Sequence, residues 1–527
     1  MGIWSFYFFG KLFLYFAKYI DFHFLPNLIF AIALLIPLRQ RWLRVVRQVI
    51  AVPVGIALLY HDAWLPPAEQ ALSKLPLLMQ FDAAYLLELV GRFVSGQILL
   101  ILLGMYLIFA LLDRKLRMST FALLGILSVP TIAFVQSSVT RVVTVSDSNQ
   151  TEIPGIVAKD AVPTTPEALD NTLKRFYEAE ANRRVHFSEV GQGDTPFDII
   201  LLHTCSLAWD DVDFANLLSH PFLKRFDIVF DNFNSAASYS GPAAIRVLRG
   251  TCGQQSHADL YAPPNAECLL MRQLERVGFE SAWEMNHNGM FGGFSEDVIA
   301  NIGTSARFTE DTSARPTQRS FDGSPIRDDY DVLSHWWLLR QQQSVPRMAL
   351  FYNGVSLHDG NRAIGDRPKS TAEYYKQRLQ NYLDELERFA QLLESSGRRV
   401  VLVLIPEHGA NIRGDRMQIS GLREIPTAAI SLVPTGVSLI GPEIAHAAAP
   451  VNVDGPTSYL ALSEMLSRMI ATDPFQQPQP PLADYVRNLP QTAMVAENEN
   501  TVIMRTGSKY MMRTPDGSWS EYDTTQR

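Results

Sequence analysis

The sequence predicts a chain in two parts: an N-terminal region of about five transmembrane helices, then an α/β domain with a mostly parallel sheet between helices. Two patterns carry that expectation. Five apolar runs crowd into residues 1–140, separated by short charged segments. From Phe197 onward, short β-branched runs alternate with amphipathic helical stretches, which is the rhythm of a parallel sheet covered on both faces. A third observation says where chemistry would sit. Four strand-like runs end in unusual polar residues, and ligands in such sheets collect beyond the carboxyl ends of strands.

The apolar runs are Ile3–Ile20, Phe24–Leu38, Val45–Tyr60, Phe93–Leu112 and Thr120–Val135; the first, aromatic-rich and carrying Lys11 and Lys18, fits either a span or a helix lying in the membrane interface. A cleaved signal peptide does not fit, because no small-residue cleavage site closes a compact charged and apolar start, and more spans follow. RQRWLRVVR (39–47) and DRKLR (113–117) are the basic loops and are expected in the cytoplasm. His61–Gly91 and everything after about Gln136 then lie outside, which for a bacterial inner membrane is the periplasm. The formal net charge of -8, with no basic stripe interleaved with aromatics, argues against a nucleic-acid partner. Three cysteines in an oxidising compartment suggest one disulfide and one thiol kept for another use.

Composition divides the chain into a membrane region (1–140), a linker and connecting helix (141–190), a periplasmic catalytic domain (191–473) and a C-terminal extension (474–527). Pro154, Pro163 and Pro166 interrupt the linker, and Glu167–Ala181 has helical composition. The strand-like runs are FDIILLHTC (197–205), DIVF (227–230), RMALFYNGVSL (347–357), RVVLVLIPEHG (399–409) and TGVSLIG (435–441). Asn265–Val277 and Thr371–Ser395 read as helices between them. The extension opens on PFQQPQPPL, a linker composition, and closes with two strands expected around a turn near Pro515-Asp516-Gly517.

The first run ends in His203-Thr204-Cys205-Ser206. The second leads to Tyr239-Ser240, where Gly241-Pro242 opens a helical pattern, so Ser240 reads as an N-cap and Pro242 as the first helical residue. A helix start also offers free N–H groups to an anion such as a phosphate. The third run leads to His358-Asp359-Gly360-Asn361 and the fourth to Pro406-Glu407-His408-Gly409. Singly, these read as a buried cysteine, a helix cap and strand exits. As ends of neighbouring parallel strands they bring a thiolate, a hydroxyl, a carboxylate and an imidazole to one rim, a donor set suited to tetrahedral zinc with an oxygen nucleophile.

Together LLHTCSLAWDD, NFNSAASYSGPA, the HDGN at 358–361 and PEHGAN resemble the BcsG family of cellulose phosphoethanolamine transferases, membrane-anchored members of the alkaline phosphatase superfamily. The resemblance covers essentially the whole chain and implies an alkaline-phosphatase-like α/β domain behind five spans. It implies Cys205, Glu407 and His408 as Zn2+ ligands, Ser240 as the nucleophile completing their shell, and a Cys252–Cys268 disulfide. It also implies His358 as the catalytic histidine, Tyr239 as the residue beside the nucleophile and Arg423 as an arginine near the substrate. Phosphatidylethanolamine would be the donor, cellulose the acceptor, and the cellulose synthase complex the membrane partner. Lipid A-type relatives carry Glu, Thr and Asp-His where Cys205, Ser240 and Glu407-His408 stand, so their acceptor preference does not transfer. A phosphoglycerol transferase, a sulfatase or phosphatase using water as acceptor, or an assembly subunit held by its membrane helices are the competing readings. Trp209, Trp283, Trp336 and Trp337 offer rings that could stack on glucan, although a buried core role is the expectation for most of them.

Overall fold

The computed structural model describes residues 2–16, 20, 22–63, 79–83, 85–87, 96–113, 115–139, 165–189, 195–365 and 371–522. Residues 1–76 and 86–150 form one compact unit, and 77–85 with 151–527 form the other.

In the first unit, helices Ile3–Phe16, Phe24–Leu35, Arg41–Asp62, Gly96–Leu112 and Met118–Val139 occupy the five apolar stretches. Trp4, Phe8, Leu12, Phe30, Leu34, Ile126 and Val129 pack within the unit, whereas Ile29, Ile32, Val49, Leu107 and Leu124 are exposed. The expectation of five full spans narrows here. Among the described residues, Arg41–Asp62 alone is long and apolar enough to cross a membrane by length and composition. The first two helices, of 14 and 12 residues, reach only about 21 and 18 Å against a hydrocarbon core of about 30 Å.

The second unit is built on a seven-stranded sheet. Its strands are β1 (Asp198–Thr204), β2 (Ile228–Phe230), β3 (Glu280–Met285), β6 (Met348–Gly354), β8 (Val400–Leu404), β9 (Thr435–Ile440) and β10 (Val451–Val453), in the order β10-β2-β9-β8-β1-β6-β3. A separate three-stranded sheet holds β4 (Pro316–Arg319), β5 (Pro325–Arg327) and β7 (Arg362–Ala363). In the large sheet only β9 runs against its neighbours β2 and β8; the other pairs are parallel.

Both faces of the central strands are buried, which explains their unbroken apolar runs. Ile199, Leu201, Phe351, Val401 and Val403 face one layer, with helices Ser240–Leu248, Leu270–Arg276, Phe294–Ile302 and Tyr459–Ala471. Ile200, Leu202, Leu350, Leu402 and Leu404 face the other, with helices Asp329–Gln341 and Thr371–Ser395. At the amino end of β1, buried Asp198 pairs with Arg340 at 2.8 Å and accepts from the Met348 N–H.

Two sequence expectations change. The C-terminal extension is neither a linker nor one hairpin. Phe475, Tyr485 and Leu489 are buried in the sheet's own core, and β11 (Val495–Glu497), β12 (Val502–Thr506), β13 (Lys509–Arg513) and β14 (Trp519–Tyr522) form a four-stranded antiparallel sheet. The extra turn falls at Gly507, whose φ of 60° suits a two-residue hairpin loop. This sheet packs on helix Pro166–Glu180 and supports the loop before Ser240: Asn234 donates to the Val495 carbonyl at 2.8 Å, and the Glu497 N–H to the Ala236 carbonyl. The second change concerns residues 77–85, expected with the membrane region, which fall in the unit of the large sheet, where Phe81 and Tyr85 pack on Phe321.

A Cys252–Cys268 disulfide with a sequence separation of 16 closes the loop behind helix Ser240–Leu248. Replacing both cysteines by serine should destabilise this unit by about 3 kcal/mol, the cost of freeing a loop of this length. A fall in the denaturant midpoint on double replacement, and on reduction of the parent chain, checks it.

Candidate active site

Three loops at the carboxyl ends of β1, β6 and β8 are stitched together by their own backbones. The Cys205 N–H donates to the Gly354 carbonyl at 2.8 Å, Glu407 N–H to Thr204 at 2.8 Å, and Leu207 N–H to His408 at 2.6 Å. Asp211 adds a side-chain clasp: one carboxylate oxygen accepts from Ala208 and Ala410 at 2.9 and 2.8 Å. Gly409 is required where these loops touch, since a Cβ there would lie 2.8 Å from that same oxygen. Ser206 holds a φ of 69°, costly for a residue with a side chain. It is compensated by the Tyr375 hydroxyl donating to its carbonyl and Arg423 donating to its Oγ, at 2.6 and 2.9 Å.

Cys205, Glu407 and His408 converge inside this frame, all three fully buried. His408 Nδ1 lies 2.9 Å from the Gly409 carbonyl, which can only accept, so Nδ1 carries the hydrogen and Nε2 keeps its lone pair. That Nε2 sits 3.9 Å from Cys205 Sγ and 3.7 Å from Glu407 Oε2. The Ser240 hydroxyl completes the cluster, 3.4 Å from the same sulfur. A tetrahedron with zinc–ligand distances of about 2.0–2.3 Å has edges of about 3.3–3.8 Å; the 3.4 and 3.7 Å spacings fall within that range and the 3.9 Å one stands just beyond it.

The carboxylate is prepared for one open oxygen. Gly289 N–H donates to His287 Nδ1, His287 Nε2 donates to Asn353 Oδ1, and Asn353 Nδ2 donates to Glu407 Oε1 at 2.6 Å. Glu407 Oε2 is left buried without a hydrogen-bond partner. Burial drives every donor toward its uncharged form: the Cys205 thiol is pushed up to about 12, the Glu407 carboxyl up to about 7, and His408 well below the usual imidazole range. An orphaned oxygen, a lone-pair nitrogen and a thiol so placed form a site that a divalent cation would satisfy, and Cys, His and carboxylate together suit zinc.

Ser240 is the first residue of helix Ser240–Leu248, with Tyr239 as N-cap, so Ser240 stands one position further in than the sequence reading placed it, and Pro242 stands third rather than first. Proline is accepted there because N–H groups of the first turn have no partner inside the helix. Tyr239 donates to Glu424 at 2.6 Å. Arg423, buried, lies 5.6 Å from the Tyr239 ring centre; burial works against its charge, but its electrostatic surroundings, the Asp359 carboxylate among them, outweigh that and hold its pKa above the ordinary guanidinium range. His358 donates from Nδ1 to the Asp359 carbonyl at 2.6 Å, and burial, then Arg423, push it down to about 3.

All seven residues singled out from sequence thus lie on this rim or its immediate border. Sequence reading missed Asn353, His287 and Asp211 as its supports. Asn353 carried a faint signal, as the one amide closing the apolar run of β6. Of the four tryptophans, Trp283, Trp336 and Trp337 are buried core residues. Trp209 is half-buried and lines a cleft of about 460 Å³ with Asp210 and Asp231. A second ligand-like group, His23, His61 and Asp62, already has Lys11 paired with its carboxylate at 2.5 Å.

Residues 156–519 match the family model described as the cellulose biosynthesis protein BcsG C-terminal domain, and residues 4–131 the BcsG N-terminal domain. Two relatives described as cellulose biosynthesis protein BcsG, from Salmonella typhimurium and Escherichia coli, are each 38% identical over 537 residues, covering 98% of this chain and 96% of theirs. Solved structures resemble it more distantly. One is an alkaline phosphatase superfamily protein from Vibrio parahaemolyticus (12% identity, TM-score 0.45, covering 68% of this chain and 90% of that one). Another is the C-terminal periplasmic domain of EptC from Escherichia coli in complex with zinc (14% identity, TM-score 0.43, covering 61% and 96%).

Titrating the chain with zinc should fill the Cys205 site, and Cys205→Ser or His408→Ala should weaken that binding. Affinity should fall as pH drops through about 7, because Glu407 then takes up a proton that competes with the metal. Asn353→Ala, which frees the carboxylate to turn, should lower affinity by about 10–100-fold in a competition assay.

Proposed function

This chain belongs to the BcsG family, and on that premise we propose that it is a zinc-dependent phosphoethanolamine transferase. It takes the headgroup from phosphatidylethanolamine, holds it on Ser240, and passes it to glucose 6-OH groups of secreted cellulose. The observation that carries this reading is the Ser240 hydroxyl, 3.4 Å from Cys205 Sγ and at a helix start, facing the same cluster as Glu407 and His408.

A zinc ion held by Cys205, Glu407 and His408 would supply Lewis acidity that lowers the pKa of the Ser240 hydroxyl. Ser240 Oγ forms its bond to phosphorus as the bond to the glycerol oxygen breaks, and the serine's proton ends on diacylglycerol. In the second half, O6 of a glucose unit takes the phosphorus, its proton returns to Ser240, and the enzyme is restored. Arg423 and the first N–H groups of helix Ser240–Leu248 face the charge that builds on the phosphoryl oxygens. His358, neutral in the resting protein with Nδ1 committed to the Asp359 carbonyl, offers Nε2 as a base toward the incoming hydroxyl. Tyr239 orients this edge through Glu424, and Trp209 is the one tryptophan of the four left for a sugar ring.

The five apolar helices are read as membrane spans and the catalytic unit as periplasmic, with the cellulose synthase complex as neighbour. Supporting this sidedness, residues 79–85, between helices Arg41–Asp62 and Gly96–Leu112, pack within the catalytic unit and so share its side of the bilayer. A lipid donor gives an enzyme of this kind a reason to be anchored.

Ser240→Ala should abolish the phosphoethanolamine adduct on the protein and phosphoethanolamine on cellulose, with zinc content retained. Mass spectrometry of enzyme and polymer reads both, and full modification of cellulose by this variant would remove the nucleophile from the scheme.

A further inference from the structure

The strap at residues 79–85 does more than pack. The Asp82 N–H donates to the Phe321 carbonyl at 2.8 Å. Phe81 stacks on Phe291 (5.8 Å between ring centres, 20° between planes) and meets Phe321 edge-on at 5.3 Å. Tyr85, only 8% exposed, lies against both Phe81 and Phe321. Its hydroxyl donates to Asp359 Oδ2 at 3.2 Å.

Two of these partners, Asp359 and Phe321, carry the contacts on to the His358 turn. Phe321 packs on the His358 ring, 4.6 Å between centres. Asp359, held by the Tyr85 phenol, owns the carbonyl that fixes His358 Nδ1 at 2.6 Å. Arg378 donates to the His358 carbonyl at 2.6 Å and grips the turn at a second point. Gly360 has a φ of 82°, and a Cβ there would stand 2.6 Å from the Tyr85 ring and 2.9 Å from Phe321 Cβ. The strap therefore closes against the turn with no room for a side chain between them.

We propose that Tyr85 is a positioning residue for the transfer reaction: through the Asp359 carboxylate and the Phe321 ring it sets the direction in which His358 presents Nε2. The role rests on the transferase reading above. It makes a residue from between two apolar helices a working part of the catalytic rim, and a chain beginning after residue 150 would lack it.

The test uses the full chain in phosphatidylethanolamine nanodiscs with a cello-oligosaccharide acceptor. Tyr85→Phe removes one hydroxyl and leaves the ring packing in place. It should lower kcat about tenfold, as expected for a lost hydrogen bond to a carboxylate, with KM for the lipid within about twofold and zinc content unchanged. Combined with His358→Ala it should cause no further loss, because both changes remove the same oriented base. Phe81→Leu, which loosens the strap without touching Asp359, should give a smaller loss with the same dependence on His358. Parental kcat in Tyr85→Phe, or an equal loss on the His358→Ala background, overturns the positioning role. A parent chain that never forms the Ser240 adduct removes the functional reading and this role with it; an active parent with an indifferent Tyr85→Phe removes this role alone.

Discussion

Everything at this site depends on strands β1, β6 and β8 running the same way. Parallel neighbours deliver their carboxyl ends to one rim, and the loops leaving that rim carry polar backbone groups that must be satisfied where water is excluded. They satisfy one another: Cys205 with Gly354, Glu407 with Thr204, Leu207 with His408. Sheet register thereby becomes ligand geometry. A one-residue slip of β8 against β1 would exchange its two faces and turn Glu407 and His408 away from Cys205.

The cost of such a rim is electrostatic. A thiol, a carboxyl and an imidazole gathered in a dry interior resist charge: burial keeps the thiol and the imidazole neutral and pushes the Glu407 carboxyl up to about 7 until a cation arrives. The supports then make sense as devices that keep donors aimed while no charge holds them. Asn353 pins one oxygen of Glu407 and leaves the other open, Gly409 O pins one nitrogen of His408, and Ser206 accepts a strained backbone to anchor Arg423. Arg423 and the helix beginning at Ser240 add positive potential on the side where an anionic group would enter.

How much of this was legible in the sequence follows from range. Strand-end motifs such as PEHG and HTCS are local, and unbroken apolar runs of β1, β6 and β8 announced strands buried on both faces. Helix Thr371–Ser395 was read residue for residue from its amphipathic pattern. The antiparallel course of β9 left no trace, because a buried strand looks the same in either direction. Edge strand β3 (ESAWEM) hid behind its charged and exposed positions, and the three-residue β10 behind its length. The turn at Gly507 was passed over for the stronger Pro-Asp-Gly signal eight residues later. Tyr85 had no signal for this role: Phe321 and Asp359, the partners that carry it, are distant in sequence, and only tertiary packing joins them to Tyr85.

The catalytic unit is discontinuous in the chain, with residues 77–85 separated from the rest by two further apolar helices. During synthesis the strap emerges before any of its partners exist. At translation speeds of about 5–20 residues per second it waits on the order of tens of seconds for Phe321 and Asp359. For that interval Phe81 and Tyr85 are uncovered aromatic groups beside nascent helices, in need of a temporary shelter such as the lipid interface. Assembly of the rim is therefore ordered in time, with the anchor in place before the chemistry it serves.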